Sequence, residues 1–214
     1  MADEVKSNAS PASGQAGSAS SLEAIAKAVK AASLDANGTN ERSLPPVQLW
    51  NPPHCDDIGL KISRDGVWSY RNSPIARPAL VRLFSTILRK DPDGYVLVTP
   101  VEKIAIEVED APFLAVEMQV MENPAGPALR FVTNVGDRVE AGPDHPIRFE
   151  KGPASGMKPY VHVRADLWAL VTRALVYDLV ERAETRLIDG RERLGLCSAG
   201  HFFVMDEADE PDRT

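Results

Sequence analysis

DGVWSYRNSPIARPALVRLFSTILRKDPDGYVLVTPVEK, residues 65–103, is the stretch on which the fold turns. Arg64-Asp65-Gly66 closes a hairpin, because glycine after aspartate supplies the positive φ that such a turn needs. Before it, Ile58, Leu60 and Ile62 alternate on one face, and after it Trp68 and Tyr70 share a face, so two short antiparallel strands are expected. Pro74 and Pro78 lead into a helix, whose first turn suits Pro78 because an N–H there would have no partner. Leu80, Leu83, Phe84, Ile87 and Leu88 form its apolar arc, with Arg82 and Arg89 on the opposite, solvated side, and Asp91-Pro92-Asp93-Gly94 ends it. YVLVT and KIAIEV are two more strands. Ile104, Ile106 and Val108 point inward, which leaves Lys103 and Glu107 on the other face.

Beyond the boundary at Asp110-Ala111-Pro112, strand follows strand. Leu114, Val116, Met118 and Val120 alternate cleanly, and ALRFVTN, DRVEA, IRFE and YVHVR follow between Gly and Pro turns. Tyr160, His162 and Arg164 fall on one face, opposite Val161 and Val163. A long helix over about 166–188 comes next, then a last strand at GHFFVM. On that helix the apolar side changes near Val176. Leu167, Leu170, Val171, Ala174 and Leu175 lie on one side, and Val176, Leu179, Val180, Ala183 and Leu187 on the other. Either the helix breaks near Val176, or its second half meets another body: the first domain, a second copy or a protein partner.

The predicted fold is α+β, with two similar strand-rich domains that each carry one main packing helix. Their bounds are 46–110 and 111–206. Residues 1–45 read as a disordered linker with a short helix at SSLEAIAKAVKAAS, and 207–214 as an acidic tail. The net charge is −7, and the tail from residue 206 alone holds five acids against one base. No bulk basic character recruits nucleic acid. No apolar run is long enough for a membrane span, and the N-terminus has no secretory pattern. Cys55 and Cys197 are far apart, so reduced thiols in a cytoplasm are the default reading.

Few motifs carry chemistry. His54-Cys55-Asp56-Asp57 lacks the spacing of a metal site. Ser155-Gly156-Met157-Lys158 matches S-x-x-K without its companion motifs and reads as a loop. No Walker loop and no G-x-G-x-x-G is present, so no cofactor is expected. From Leu60 to Lys90, however, seven cations face one acid, Asp65. Arg71 and Arg77 flank the NSPI turn where the helix begins, a place where free backbone N–H groups and guanidinium forks both meet anions. Trp68 and Tyr70 read as core, with base stacking as the alternative.

Taken together, DIGLKISRDGVWSYRNSPIARPALVRLF, DGYVLVTPVEK, VEDAPF, FVTNVGD, HPIRF and PYVHVRADLWALVTRALVYDLVE resemble the bacterial domain of unknown function 1285 family, over roughly Pro46 to Glu181. The resemblance implies two similar α+β domains, the second like the pleckstrin-homology superfold. It also implies a site for a nucleotide-like ligand where the domains meet, and a role in signalling. The polar positions within the matching stretches become the candidate ligand-binding residues: Arg71, Arg77, Thr99, Lys103, Thr133, Asn134, His145, Arg148 and Arg164. The leading expectation is a non-enzymatic sensor for a small anion held between Lys103 and Arg77 on one wall and Asn134, His145, Arg148 and Arg164 on the other. The competing classes are a hydrolase of a phosphorylated metabolite, with His145 or Glu102 as base, and a structural protein-interaction domain.

Overall fold

The structure, a computed structural model, describes residues 17–34, 44–55, 57–152 and 156–205. The acidic tail, Asp56 and Ser155 lie outside the described residues. Helix α1 (Gly17–Leu34) comes first, then a 3-10 turn at Val47–Leu49 and the short strand β1 (His54–Cys55). The first sheet is built from β2 (Leu60–Ile62), β3 (Trp68–Tyr70), β4 (Ser73–Pro74), β5 (Leu88–Asp91), β6 (Gly94–Val98) and β7 (Lys103–Val108), with α2 (Pro78–Thr86) between β4 and β5. Its order is β4-β3-β2-β7-β6-β5, and β1 adds to β7. The second sheet comprises β8 (Phe113–Met121), β9 (Ala128–Thr133), β10 (Arg138–Glu140), β11 (Ile147–Lys151), β12 (Met157–Arg164) and β13 (Leu167–Val171). Its order is β10-β9-β8-β13-β12-β11.

The two sheets share one plan. In each, two three-strand antiparallel meanders stand back to back, and the first and last strands pair in parallel: β2 with β7, and β8 with β13. The helices are placed differently. In the first domain α2 joins the two meanders, whereas in the second α3 (Arg173–Glu181) follows the last strand. A three-stranded antiparallel sheet of β14 (Glu184–Ile188), β15 (Arg191–Ser198) and β16 (His201–Val204) completes the chain. Buried Ser198 ties it to the second sheet: its Oγ accepts from Leu129 N–H at 2.8 Å and donates to Ala141 O at 2.7 Å.

Three sequence readings are corrected. The helix expected over about 166–188 is strand β13, helix α3 and strand β14. Leu167, Ala169 and Val171 are buried with a period of two, and α3 ends at Glu181. The change of apolar side near Val176 is thus the trace of changing secondary structure. Asp189 and Gly190 both have positive φ, the hairpin turn that joins β14 to β15. The apolar face expected for a partner is accordingly scattered: Leu179 is buried, Val180 is half exposed on α3, and Leu187 is 73% exposed on β14.

Helix α2 also ends earlier than expected, at Thr86, and Asp91-Pro92-Asp93-Gly94 turns β5 into β6. Arg89 therefore lies on a strand and is 8% exposed, not solvated. On β8 the buried residues are Phe113 and Ala115, while Val116 and Val120 are largely exposed. A bulge between Ala115 and Glu117 shifts the register, and a one-residue shift exchanges the faces of a strand.

Buried Arg89 makes four hydrogen bonds with its five N–H donors. It donates to both carboxylate oxygens of Asp91, at 2.6 and 3.0 Å, and to Val47 O and Trp50 O at 2.7 and 2.8 Å. One side chain thus fastens the 3-10 segment to β5. The hydrogen bonds from Arg89 and Lys103 hold the Asp91 carboxyl below its ordinary range. Asp91→Asn should cost about 2 kcal/mol in urea unfolding at neutral pH, the scale of hydrogen bonds to charged groups. A depressed folded pKa contributes stability above the unfolded value near ~3.9, lost as pH falls through the folded pKa. The variant should therefore lose stability less steeply on acidification; an acid limb as steep as that of the parent would refute the assignment.

Candidate functional site

The two domains meet where the β2–β3 turn and α2 face the β9–β10 turn and the end of β12. Gly66 has a φ of +73°, and a Cβ there would lie 2.8 Å from Asn134 Nδ2 and 2.9 Å from Leu114 Cδ1. Only a residue without a side chain allows this approach. Asn134 completes the contact: its Oδ1 accepts from Leu114 N–H at 3.0 Å, and its Nδ2 donates to Gly66 O at 3.4 Å.

Arg164 is the second link. It donates to Asp137 Oδ2 at 2.6 Å within its own domain and to Ser85 O of α2 at 2.7 Å. Its guanidinium lies 5.0 Å from the centre of the Phe113 ring. The expectation that Tyr160, His162 and Arg164 share one face is corrected here. A register shift between His162 and Arg164 pairs Arg164 with buried Leu167, on the Phe113 side. A third link is Asp110, between the domains, which accepts from Lys158 Nζ and from Tyr160 Oη. Burial opposes the charge on Lys158, but the bonds to Asp110 and Tyr160 outweigh it and hold the ammonium above its ordinary range.

Beside these links lies a cleft of about 220 Å³, walled by Trp68, Ile75, Pro78, Val81 and Arg82 of the first domain and Asn134 of the second. Trp68 is 2% exposed, and its Nε1–H has no hydrogen-bond partner among the described residues. Buried indole N–H groups ordinarily find an acceptor. Arg82 also borders an adjoining open recess with Val135, Gly136, Asp137 and Arg138. Arg82 and Arg138 are exposed and form no ion pair among the described residues, while Asp137 is engaged by Arg164. The junction thus offers the Asn134 amide and two available guanidiniums, with the Trp68 indole buried in the wall.

Of the nine candidate residues, Asn134 lines this cleft. Arg164 braces the domains beside it, and buried Thr133 shapes the adjoining turn, its Oγ1 accepting from Asp137 N–H at 3.0 Å. Lys103 is not aimed at the second domain but at Asp91 of its own, at 3.2 Å. Thr99 is buried in the β6–β7 turn, where its hydroxyl accepts from Val101 N–H and Glu102 N–H. Arg71 sits in the β3–β4 turn over the Tyr70 ring, and Arg77 occupies the N-cap position of α2 without a capping bond from its side chain. His145 and Arg148 belong to a wall of the second sheet. His145 stacks on His162 with centroids 5.6 Å apart, and Arg148 lies 4.2 Å from the centre of the Trp168 ring. Sequence reasoning missed Arg82, set aside as solvated, and Arg138; Trp68 carried a signal as a possible stacking residue.

Comparison with known proteins gives the chain its place. Residues 45–111 match "Domain of unknown function (DUF1285), N-terminal domain", and residues 112–205 match "Protein of unknown function (DUF1285), C-terminal domain". The chain belongs to the DUF1285 family. A crystal structure of a DUF1285 family protein from Silicibacter pomeroyi DSS-3 is 44% identical, covering 90% of this chain and 98% of that one, with a TM-score of 0.73. A second, from Shewanella baltica OS155, is 28% identical over 57% of this chain and 91% of its own, with a TM-score of 0.46. No curated protein matches. Among the described residues of this DUF1285 protein, no helix is long and apolar enough to cross a membrane.

Arg164→Ala should lower unfolding stability by about 2–3 kcal/mol, since it leaves a half-buried Asp137 unpaired and removes the bond to α2. Faster amide exchange in α2 should accompany it. Unchanged exchange there would show that Arg164 does not brace the domains.

Proposed function

We propose that this DUF1285 protein is a non-enzymatic sensor or adaptor that binds a small anionic, nucleotide-like ligand between its two domains, in a cytoplasmic signalling role. The observation that carries this reading is a cleft walled by both domains and bordered by two exposed guanidiniums, Arg82 and Arg138, that form no ion pair among the described residues. Asn134 would supply an amide, and Arg82 and Arg138 would neutralise charge. Charge-assisted bonds to arginine are worth about 1.5–3 kcal/mol each. Two of them reach micromolar affinity, about −8 kcal/mol, only with a further contribution from stacking or apolar contact, for which Trp68, Ile75 and Val81 are available.

The reading favours a binding protein over a hydrolase on one specific ground. His145, one of the two candidate bases, turns Nδ1 toward His162 O at 3.2 Å and stacks on the His162 ring, and it lines neither the cleft nor the recess beside it. The test is equilibrium dialysis of the full chain against a cell metabolite extract, and against inorganic phosphate and adenosine monophosphate singly. A retained anion is expected. The double change Arg82→Ala and Arg138→Ala should weaken its binding about a hundredfold, and Trp68→Phe about five- to tenfold. Failure to retain any anion, or retention indifferent to all three changes, would overturn the proposal. Recovery of a chemically altered ligand would favour the hydrolase.

A further inference from the structure

A second cavity, of about 510 Å³, lies between α1 and α2. Helix α1 docks through Ile25 and Val29, both almost fully buried. Its next face, with Glu23, Ala26, Lys27 and Lys30, forms one wall. The other wall is Arg77, Ala79, Leu80 and Leu83 of α2. At 100° per residue these lie opposite Pro78, Val81 and Arg82, which face the domain cleft. The two cavities are therefore separate and share one helix.

The lining has two chemistries. Ala26, Ala79, Leu80 and Leu83 make an apolar floor. Lys27, Lys30 and Arg77 supply three cations against one acid, Glu23, and none of the three forms an ion pair among the described residues. A hydrophilic anion would leave the apolar floor unused, and a neutral apolar molecule would leave three cations unneutralised. The volume is within the range of small-molecule sites, which are mostly apolar with a few placed polar groups. We propose that this groove binds a single-chain amphiphile with an anionic head, the chain against Ala26, Leu80 and Leu83 and the head among Lys27, Lys30 and Arg77. Helix α1 lies outside both family-matched segments, so half of the site belongs to an extension of this chain beyond the matched domains. Occupancy would add contacts to both helices and so stabilise the docked state of α1 by mass action.

The test is calorimetric titration of the full chain with decyl phosphate, kept below its micelle concentration, and with decanol and inorganic phosphate as its separate halves. Decyl phosphate should bind one to one, and each half at least about tenfold more weakly. Lys27→Glu with Lys30→Glu, changes at exposed positions, should weaken decyl phosphate at least about tenfold. Ala26→Trp, which fills the groove while keeping its charges, should do the same. Arg182→Glu, a charge reversal at an exposed position at the end of α3, should change nothing, so loss of the groove is distinguishable from a general loss of positive charge. No saturable binding, equal affinity for phosphate alone, or indifference to the charge-reversed pair would each overturn the proposal.

Discussion

The docking of the two domains depends on where one guanidinium is aimed. Arg164 stands at the end of β12, and regular alternation would have placed it beside His162, facing away from Phe113. The register shift before it and the left-handed Ala165 after it, with φ of 45°, turn it across the sheet. There it meets Asp137 and the carbonyl of Ser85 in the last turn of α2. A cation at that end of a helix meets both an accepting carbonyl and the negative end of the helix dipole. The same residue also occupies Asp137, and by doing so leaves Arg82 and Arg138 without an acid at the junction. The electrostatic character of the cleft is thus a consequence of how the domains are fastened.

The repeated sheet plan explains why a junction of this kind exists. A back-to-back pair of meanders ends with its last strand in the middle of the sheet, beside its first. In the first domain β7 therefore delivers the chain at the sheet centre, and Asp110 follows immediately, anchored by Lys158 and Tyr160 of the second domain. The short connection keeps the domains adjacent, and the hairpin at Gly66 fits against Asn134 because glycine leaves room for it. Where the helix is inserted then differentiates the two units. Between the meanders, α2 is pressed into service at the junction, while α3, after the last strand, leads only to the third sheet.

The sequence made the first sheet legible because its signals are local: the Asp65-Gly66 turn, the inward Ile104 and Ile106, and the proline at the start of α2. It did not make helix boundaries legible where both periods fit. Leu167, Leu170 and Val171 satisfy a helical spacing, whereas Leu167, Ala169 and Val171 satisfy a strand, and tertiary pairing with β8 and β12 decides for the strand. Single-residue bulges in β8 and β12 were invisible to any periodic reading, yet each changes which face a side chain occupies. The site suffered from a related limit. Cations were selected by charge and neighbourhood, but a charge drawn into the interior must be paired, so Lys103, Arg89 and Arg164 were each claimed by an acid or a carbonyl. The cations left at the junction are the exposed ones, Arg82 and Arg138, which sequence alone gives least reason to choose.

Helix α2 is the element in which these constraints converge. Its nine residues present Val81 and Arg82 to the domain cleft and Leu80 and Leu83 to α1, while its C-terminal turn is held by Arg164. A helix of two and a half turns cannot move one face without moving the other. Displacing Pro78 or Val81 in the cleft displaces Ala79 and Leu80 in the groove by a comparable amount, with Ser85 as the fixed end. Any ligand that prefers one placement of α2 must therefore alter the free energy of binding on its other side, and by linkage the effect is equal in both directions. The fold does not need a hinge between the domains for such communication. A short helix between two cavities, pinned at one end by the hydrogen bond from Arg164 to the Ser85 carbonyl, is sufficient.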